Sequence, residues 1–455
     1  MSASTSGLST GVTLSPVVDP DPSYRVGVFY YPWYGTPAVI PPCPDFVDPV
    51  GVGVEDILAI AGHWGEQSGD EGWDPRFDLD RNQRVDAIDI MSVVAALGST
   101  CPAQSCIPSG DQNSINNALT DVGSAAILCQ NAVFELTGPV VFTHDKQAVY
   151  TEGFPTGSSR ALLRVVDQSV TVAVNLEDRS DAVLSHVIVD GNRPHLGPAD
   201  GGEALIQAGG AVSGQVIEWV KAYEPTWWSI LHVFEGPGLS CSGVQIRHND
   251  FGPAGQPDGT WADGISLACR NSVVTDNTIT DATDGAIVIF GAPGSLIENN
   301  TIRAETRVLL GGIHMVAYNP FEGDYTGVRV TGNTIDAAGQ HIKIGVAIGE
   351  RVWGCLDPNE PDLPPDPVLR GGSVTGNTLM GDNMRYGFAV DGVEDWTVMG
   401  NIDLSTHSGV PIHECHGQIP SPPAGFQFHS QRAAGTFQPE FEEAYVEGAL
   451  WAIDP

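Results

Sequence analysis

The chain has 455 residues, with 56 acidic against 20 basic side chains, a formal charge of −36 and an isoelectric point near 4.3. A surface of that sign repels polyanions, which argues against a nucleic-acid partner. No apolar run approaches the roughly 18 residues a membrane-spanning helix needs, so no membrane span is expected. The Cys count is even, at eight, and no Cys-x-x-Cys occurs. That usage points to disulfides in an exported, extracellular protein rather than to zinc. Position along the chain suggests the pairs Cys43–Cys101, Cys106–Cys129, Cys241–Cys269 and Cys355–Cys415. The first 25 residues lack the basic start and apolar core of a signal peptide.

Three regions are expected: an extension over 1–42, a helical module over 43–101 and a repeat domain over 106–455. In the extension, Val26 to Gly35 reads as an aromatic strand (Val-Gly-Val-Phe-Tyr-Tyr-Pro-Trp-Tyr-Gly) similar to the opening strand of endo-α-mannosidase-like barrels. No barrel follows it, so no function is carried over.

The helical module repeats itself. Asp56 to Gly65 and Asp89 to Gly98 follow one template offset by 33 residues, each an apolar stripe ending at a C-capping Gly. Before the second copy, Asp78, Asp80, Asn82, Asp86 and Asp89 fall at positions 1, 3, 5, 9 and 12 of a loop, with the carbonyl of Arg84 at position 7. Hard cations such as Ca²⁺ take oxygen ligands at this spacing. The doubled helix and the Asp at position 12 resemble a dockerin. That resemblance implies one structural Ca²⁺ and a cohesin-like scaffold or cell-surface protein as partner. Gln83 stands where the loop usually has Gly, and the first loop has lost its ligands at Val47 and Pro49. One Ca²⁺ site is therefore expected, not two.

Beyond Cys106, one phrase returns: Val-Thr-Asp-Asn-Thr-Ile at 274–279, Ile-Glu-Asn-Asn-Thr-Ile at 297–302, Val-Thr-Gly-Asn-Thr-Ile at 330–335 and Val-Thr-Gly-Asn-Thr-Leu at 374–379. Weaker copies lie at 246–251 and 398–402. Short β-branched strands at such a period, with no helices between them, predict a stacked solenoid of parallel strands, roughly 4.8 Å per rung. Asn277, Asn300, Asn333 and Asn377 would stack at one turn, where Asn tolerates a left-handed backbone. Ser114 to Val122 reads as an amphipathic helix capping the open end, with coils starting at Val133. The chain resembles the right-handed parallel β-helix superfamily of pectate lyases and polygalacturonases. The expected fold is thus mainly β, a right-handed parallel β-helix behind a small dockerin-like helical module.

Candidate chemistry follows from superimposing coils. Aligned on the strand after each turn, Ile265, Ala286, Ile313, Ile342 and Phe388 point inward, and Ser266, Ile287, His314, Lys343 and Ala389 outward. His314 and Lys343 would then be neighbours. Asp263 and Asp284 would occupy equivalent turn positions about 5 Å apart. Close carboxylates resist joint ionisation, so one keeps a proton and can serve as acid while the other assists water. The order resembles polygalacturonases, whose Asn-Thr-Asp-Gly-Ile, Asp-Asp, Gly-His-Gly and Arg-Ile-Lys match Trp261-Ala-Asp263-Gly-Ile, Thr283-Asp284, Gly311-Gly-Ile-His314 and His341-Ile-Lys343. The resemblance implies Asp263 and Asp284 as catalytic carboxylates and Lys343 as a substrate-binding cation. Thr283 and His341 depart from it, and the His is displaced. Trp227, Trp228, Trp261, Tyr318, Trp353 and Arg351 would line a groove for a polysaccharide, with Phe321 and Tyr325 in the same loops. Three readings stay open: a glycosidase, a lyase or epimerase using Lys343 or Arg351, and a non-catalytic glycan-binding or surface protein.

Overall fold

The computed structural model describes residues 44, 46, 51–67, 77–79, 84–99, 106–256, 261–355 and 368–452. The extension 1–42, the pair Cys43–Cys101, the first loop's Asp45, Val47 and Pro49, and the ligand candidates Asp80 and Asn82 lie outside the described residues.

The helical module is a pair of equivalent halves. Helices Val54–Gly62 and Ala87–Ala96 close over a small core of Val52, Ile60, Phe77, Leu79, Val85 and Val93. Asp56 accepts the N–H of Phe46 at 2.5 Å and of Gly53 at 2.7 Å. Asp89 accepts the N–H of Leu79 at 2.6 Å and of Asp86 at 2.8 Å. Both carboxylates are buried, and each ties an incoming loop to the first turn of its helix.

Residues from 106 onward stack in coils. Three sheets run the length of the solenoid, and every pairing between their strands is parallel. The first sheet carries the Val-Thr strands, the second the Thr-Ile strands. The third carries the longer strands that follow, from Val140–Val141 through Asp263–Leu267, Gly285–Ile289, Leu309–Met315, Ile342–Ile348 and Met384–Val390 to Glu442–Glu443. One continuous core of Ile, Val, Leu and Phe fills the interior. Coils begin earlier than expected, at strand Ala125–Leu128. The capping helix, Gln112–Asn116, ends six residues sooner than expected, and it starts two residues sooner because Asp111 caps it through Ser114 N at 3.1 Å. Its Ile115, with Leu119, still closes the apolar end.

The Asn ladder is longer than the repeat phrase. Each Nδ2 donates to the next Oδ1 from Asn249 to Asn277 (2.8 Å), Asn300 (2.9 Å), Asn333 (2.9 Å), Asn377 (2.9 Å) and Asn401 (3.0 Å), ending on Gln438 (3.4 Å). The left-handed residue is not the ladder Asn but the one before it: His248, Asp276, Asn299, Gly332, Gly376 and Gly400 all have φ between 54° and 68°. That is why the variable place in the phrase is Asp, Asn or Gly. Three disulfides, Cys106–Cys129, Cys241–Cys269 and Cys355–Cys415, join the expected partners.

Candidate active site

The inner side of the third sheet carries a column of small residues. Gly264, Ala286, Gly312, Gly345, Gly387 and Gly425 succeed one another on adjacent rungs, and at Gly264, Gly312, Gly345 and Gly387 a methyl group would meet the backbone of the next coil. This column sets the register, and it corrects the outward row. Ile265 pairs with Ile287, and Ile287 with Ile313, so Ile287 faces the core. The outward row is His232, Ser266, Val288, His314, Ala347 and Ala389. Aligning the two Asp-Gly pairs misplaces one coil by a residue, because Asp284 precedes its strand whereas Asp263 begins one.

Asp263 therefore faces Gly285, not Asp284. The Gly285 N–H donates to Asp263 Oδ1 at 2.9 Å, and Ser266 Oγ donates to Oδ2 at 2.8 Å. Ser266 and Ser229 hydroxyls meet at 3.0 Å. Asp284 stands one column aside and is more exposed. Burial pushes the Asp263 carboxyl well above the usual carboxylate range, and the charge of Asp284 adds to the rise. Burial alone pushes Asp284 up to about 6. The two carboxyls therefore resist joint ionisation, and Asp263, the more deeply buried of the two, is the one that gains its charge with more difficulty.

His314 joins them through two glycines. Its ring folds back over Gly311, where any side chain would overlap it. A methyl at Gly285 would sit 3.3 Å from His314 Nδ1 and 3.4 Å from Asp263 Oδ1, so imidazole and carboxylate converge on that space. The ring is fully buried, neither nitrogen has a hydrogen-bond partner among the described residues, and burial pulls it down to about 3. His314 is a neutral imidazole.

Lys343 is not its neighbour. The strand Ile342–Ile348 is longer than its sequence phrase suggests, and Ala347 takes the place opposite His314. Lys343 belongs to the column of Asp284, with Leu310 between them, two rungs or roughly 10 Å away. Arg385 follows it on the next rung and approaches His341 Nε2 at 3.2 Å.

The aromatic candidates divide. The Trp228 carbonyl accepts the Asp263 N–H at 2.7 Å, and its ring meets the His232 ring edge-on at 4.8 Å. Trp227 precedes it, partly exposed. Trp261 and Trp353 pack on an outer apolar cluster of Leu310, Ile344, Ala347, Tyr386 and Ala389 beside the acid pair. Tyr318 lies elsewhere: its ring contacts Phe290, six residues beyond Asp284 along the strand direction, or about 20 Å. Phe321 and Tyr325 are buried, and the Tyr325 hydroxyl donates to the Val316 carbonyl at 2.9 Å, so neither lines a groove. Arg351 pairs with buried Glu447 at 2.9 Å and serves the packing of the C-terminal segment.

His232 and Gln207 were missed by the sequence reading. They continue the outward row below Ser266, where the small-residue column has given way to Ile230 and Leu205 and leaves no signal to align on. His232 Nδ1 and Gln207 Oε1 are buried without a partner among the described residues, and burial lowers His232 to about 4.

Residues 238–349 match the family model described as the right handed beta helix region. The solenoid is a right-handed parallel β-helix. A search of curated proteins gives no match. Among solved structures, this β-helix is similar to the A-module of a mannuronan C-5 epimerase of Azotobacter vinelandii, at 15% identity and TM-score 0.32, over 67% of this chain and 97% of that one. It is similar to an exopolygalacturonase of Thermotoga maritima at 12% identity and TM-score 0.42, over 65% and 88%. It is also similar to PfbA, a surface adhesin of Streptococcus pneumoniae, at 11% identity and TM-score 0.36, over 68% and 89%. These likenesses concern the fold. No helix among the described residues is long and apolar enough to cross a membrane.

Proposed function

We propose that the β-helix is a glycoside hydrolase acting on a polysaccharide outside the cell. The observation that supports this reading is the carboxylate pair, Asp263 and Asp284, desolvated together on the third sheet so that both carboxyls are pushed above the usual range. In the proposed step the glycosidic C–O bond breaks. Asp263 gives its proton to the leaving oxygen, Asp284 takes one from water, and the hydroxyl adds to the anomeric carbon. Proton exchange between the two restores the pair. His314, neutral and lodged over Gly311, fixes where the Asp263 carboxyl can lie, and is a positioning residue. Trp228 and Trp261 flank the pair with apolar surface suited to sugar C–H faces.

Elimination is less favoured. Arg351 is engaged by Glu447, and Lys343 stands two rungs from Asp284. The test is a panel of polygalacturonate, alginate and α-1,3-glucan, each assayed for new reducing ends and for the ultraviolet absorbance of an unsaturated uronate. Reducing ends without that absorbance are expected. Unsaturated product would replace hydrolysis by lysis, and glycan binding without any product would leave a binding module.

For the helical module, we propose one Ca²⁺ and a docking role toward a cohesin-like scaffold or surface protein. Asp78 and Asp89, both buried, stand at the two ends of the loop. Asp89 already takes two backbone N–H groups, and each carboxylate oxygen keeps a further lone pair for a cation. Leu58 and Met91, equivalent in the two halves, are exposed by 67% and 64%, as are Trp64 and Leu97 by 57% and 48%. Apolar side chains so placed on a small module fit a protein partner. Calorimetric titration of the whole chain with Ca²⁺ is expected to show one site that Asp78→Asn abolishes. No heat and no rise in melting temperature would remove the site.

A further inference from the structure

The outward face of the third sheet is open in chemistry on one side of the acid pair and closed on the other. Toward the earlier rungs the row is polar: Ser266, then His232, then Gln207. His232 Nδ1 and Gln207 Oε1 are buried acceptors or donors with no partner among the described residues. Toward the later rungs the same face becomes Leu310, Ile344, Ala347, Tyr386 and Ala389, none more than 1% exposed. Ala444, Val446, Ala449 and Leu450 of the C-terminal segment, with Val352 of helix Glu350–Trp353, cover it.

This cover is a wall rather than a lid. Glu447, 2% exposed, takes Arg351 at 2.9 Å and Arg432 at 3.1 Å. Gly448 N–H donates to the Arg351 carbonyl at 2.7 Å. Tyr445 is tied to Ser421 in both directions, at 2.7 and 3.0 Å. The disulfide Cys355–Cys415 anchors the segment that follows helix Glu350–Trp353. A glycan lying across the sheet therefore finds unsatisfied polar groups on one side of the scissile bond and a fixed apolar wall on the other.

Resting on the hydrolase reading, we propose that the site accepts the end of a glycan chain rather than its middle. The terminal sugars abut the C-terminal segment that covers Leu310 and Tyr386, beside Trp261 and Trp353. The rest of the chain runs toward the rungs of His232 and Gln207. Hydrolysis then releases one short product of fixed length per event.

The whole protein is incubated with polygalacturonate, alginate and α-1,3-glucan, and the first products are separated by length while solution viscosity is followed. The substrate that is cleaved is expected to yield a single short sugar from the outset, with viscosity unchanged while reducing ends accumulate. A ladder of lengths with an early collapse of viscosity would overturn chain-end action and leave hydrolysis standing. Absence of product from any glycan would overturn both. Gln207→Leu provides an independent reading. It is expected to raise KM about tenfold for oligosaccharides long enough to reach that rung, and to leave the shortest cleavable one unchanged. An equal effect at every length would contradict the proposed direction of the groove.

Discussion

Asp284→Asn is expected to lower glycan hydrolysis by about 10²- to 10⁴-fold while making the fold more stable at mildly alkaline pH. The two effects share one cause. Burial raises the Asp284 carboxyl from 3.8 in an unfolded chain to about 6. Between those values the folded protein binds more protons than the unfolded one. Stability is therefore full below the unfolded pKa and falls as pH rises through the window toward the folded value. A shift of that size costs on the order of 2 kcal/mol once the site's partial exposure is allowed for. Asn carries no charge, so the variant avoids this loss above pH 6 and shows no advantage in acid. Denaturant midpoints across pH check the point. A variant that is inactive but no more stable in alkali would mean that Asp284 is not desolvated. A gain in stability with activity retained would mean that it is not the base.

The second large effect lies in the ladder. Asn300→Leu is expected to destabilise the solenoid by about 4 kcal/mol, read as a lower denaturant midpoint. Asn300 Oδ1 accepts from Asn277 N and Nδ2 at 3.1 and 2.9 Å, and its Nδ2 donates to the carbonyl of Val274 and to Asn333 Oδ1, both at 2.9 Å. Leucine fills similar volume but satisfies none of these groups. It strips the buried Asn277 N–H of its acceptor, at roughly 1 to 3 kcal/mol, and removes one further hydrogen bond each from the Asn277 amide, the Val274 carbonyl and Asn333 Oδ1, at about 1 kcal/mol apiece. Water cannot replace the partner, since Asn277 and Asn333 are no more than 1% exposed. A loss below about 1 kcal/mol would show that the ladder is ornamental and that the apolar core alone holds the coils in register.

The contrast between the ladder and the candidate site explains what the sequence reveals. The Asn phrase is legible because its chemistry is local to each coil: two short strands, one left-handed residue and one amide that must be satisfied by the next rung. Every copy repeats the same solution, so the solenoid and two of its sheets can be read directly. The third sheet resists. Its strands range from five to seven residues around the site, and the coils differ in length, so a shared Asp-Gly does not mean a shared rung. Lys343 was placed beside His314 for this reason, and Ile287 was turned outward. Asp263 and Asp284 come together despite the slip because a one-residue error moves a group by one column, not to another wall. Tyr318 and Arg351 were misjudged differently. Exposure of a loop residue depends on what folds back over it, and Glu447 lies 96 residues from Arg351. The wall formed by the C-terminal segment is equally non-local and leaves no mark in the repeat.

The central claim is that burial keeps Asp263 and Asp284 from ionising together in the ordinary acidic range. Carbon-13 NMR of the aspartate carboxyls, assigned with Asp263→Asn and Asp284→Asn, measures this directly. The expected result is an Asp284 carboxyl that titrates near 6 and an Asp263 carboxyl that titrates well above the usual carboxylate range. Two carboxyls that both ionise in the ordinary acidic range would contradict it.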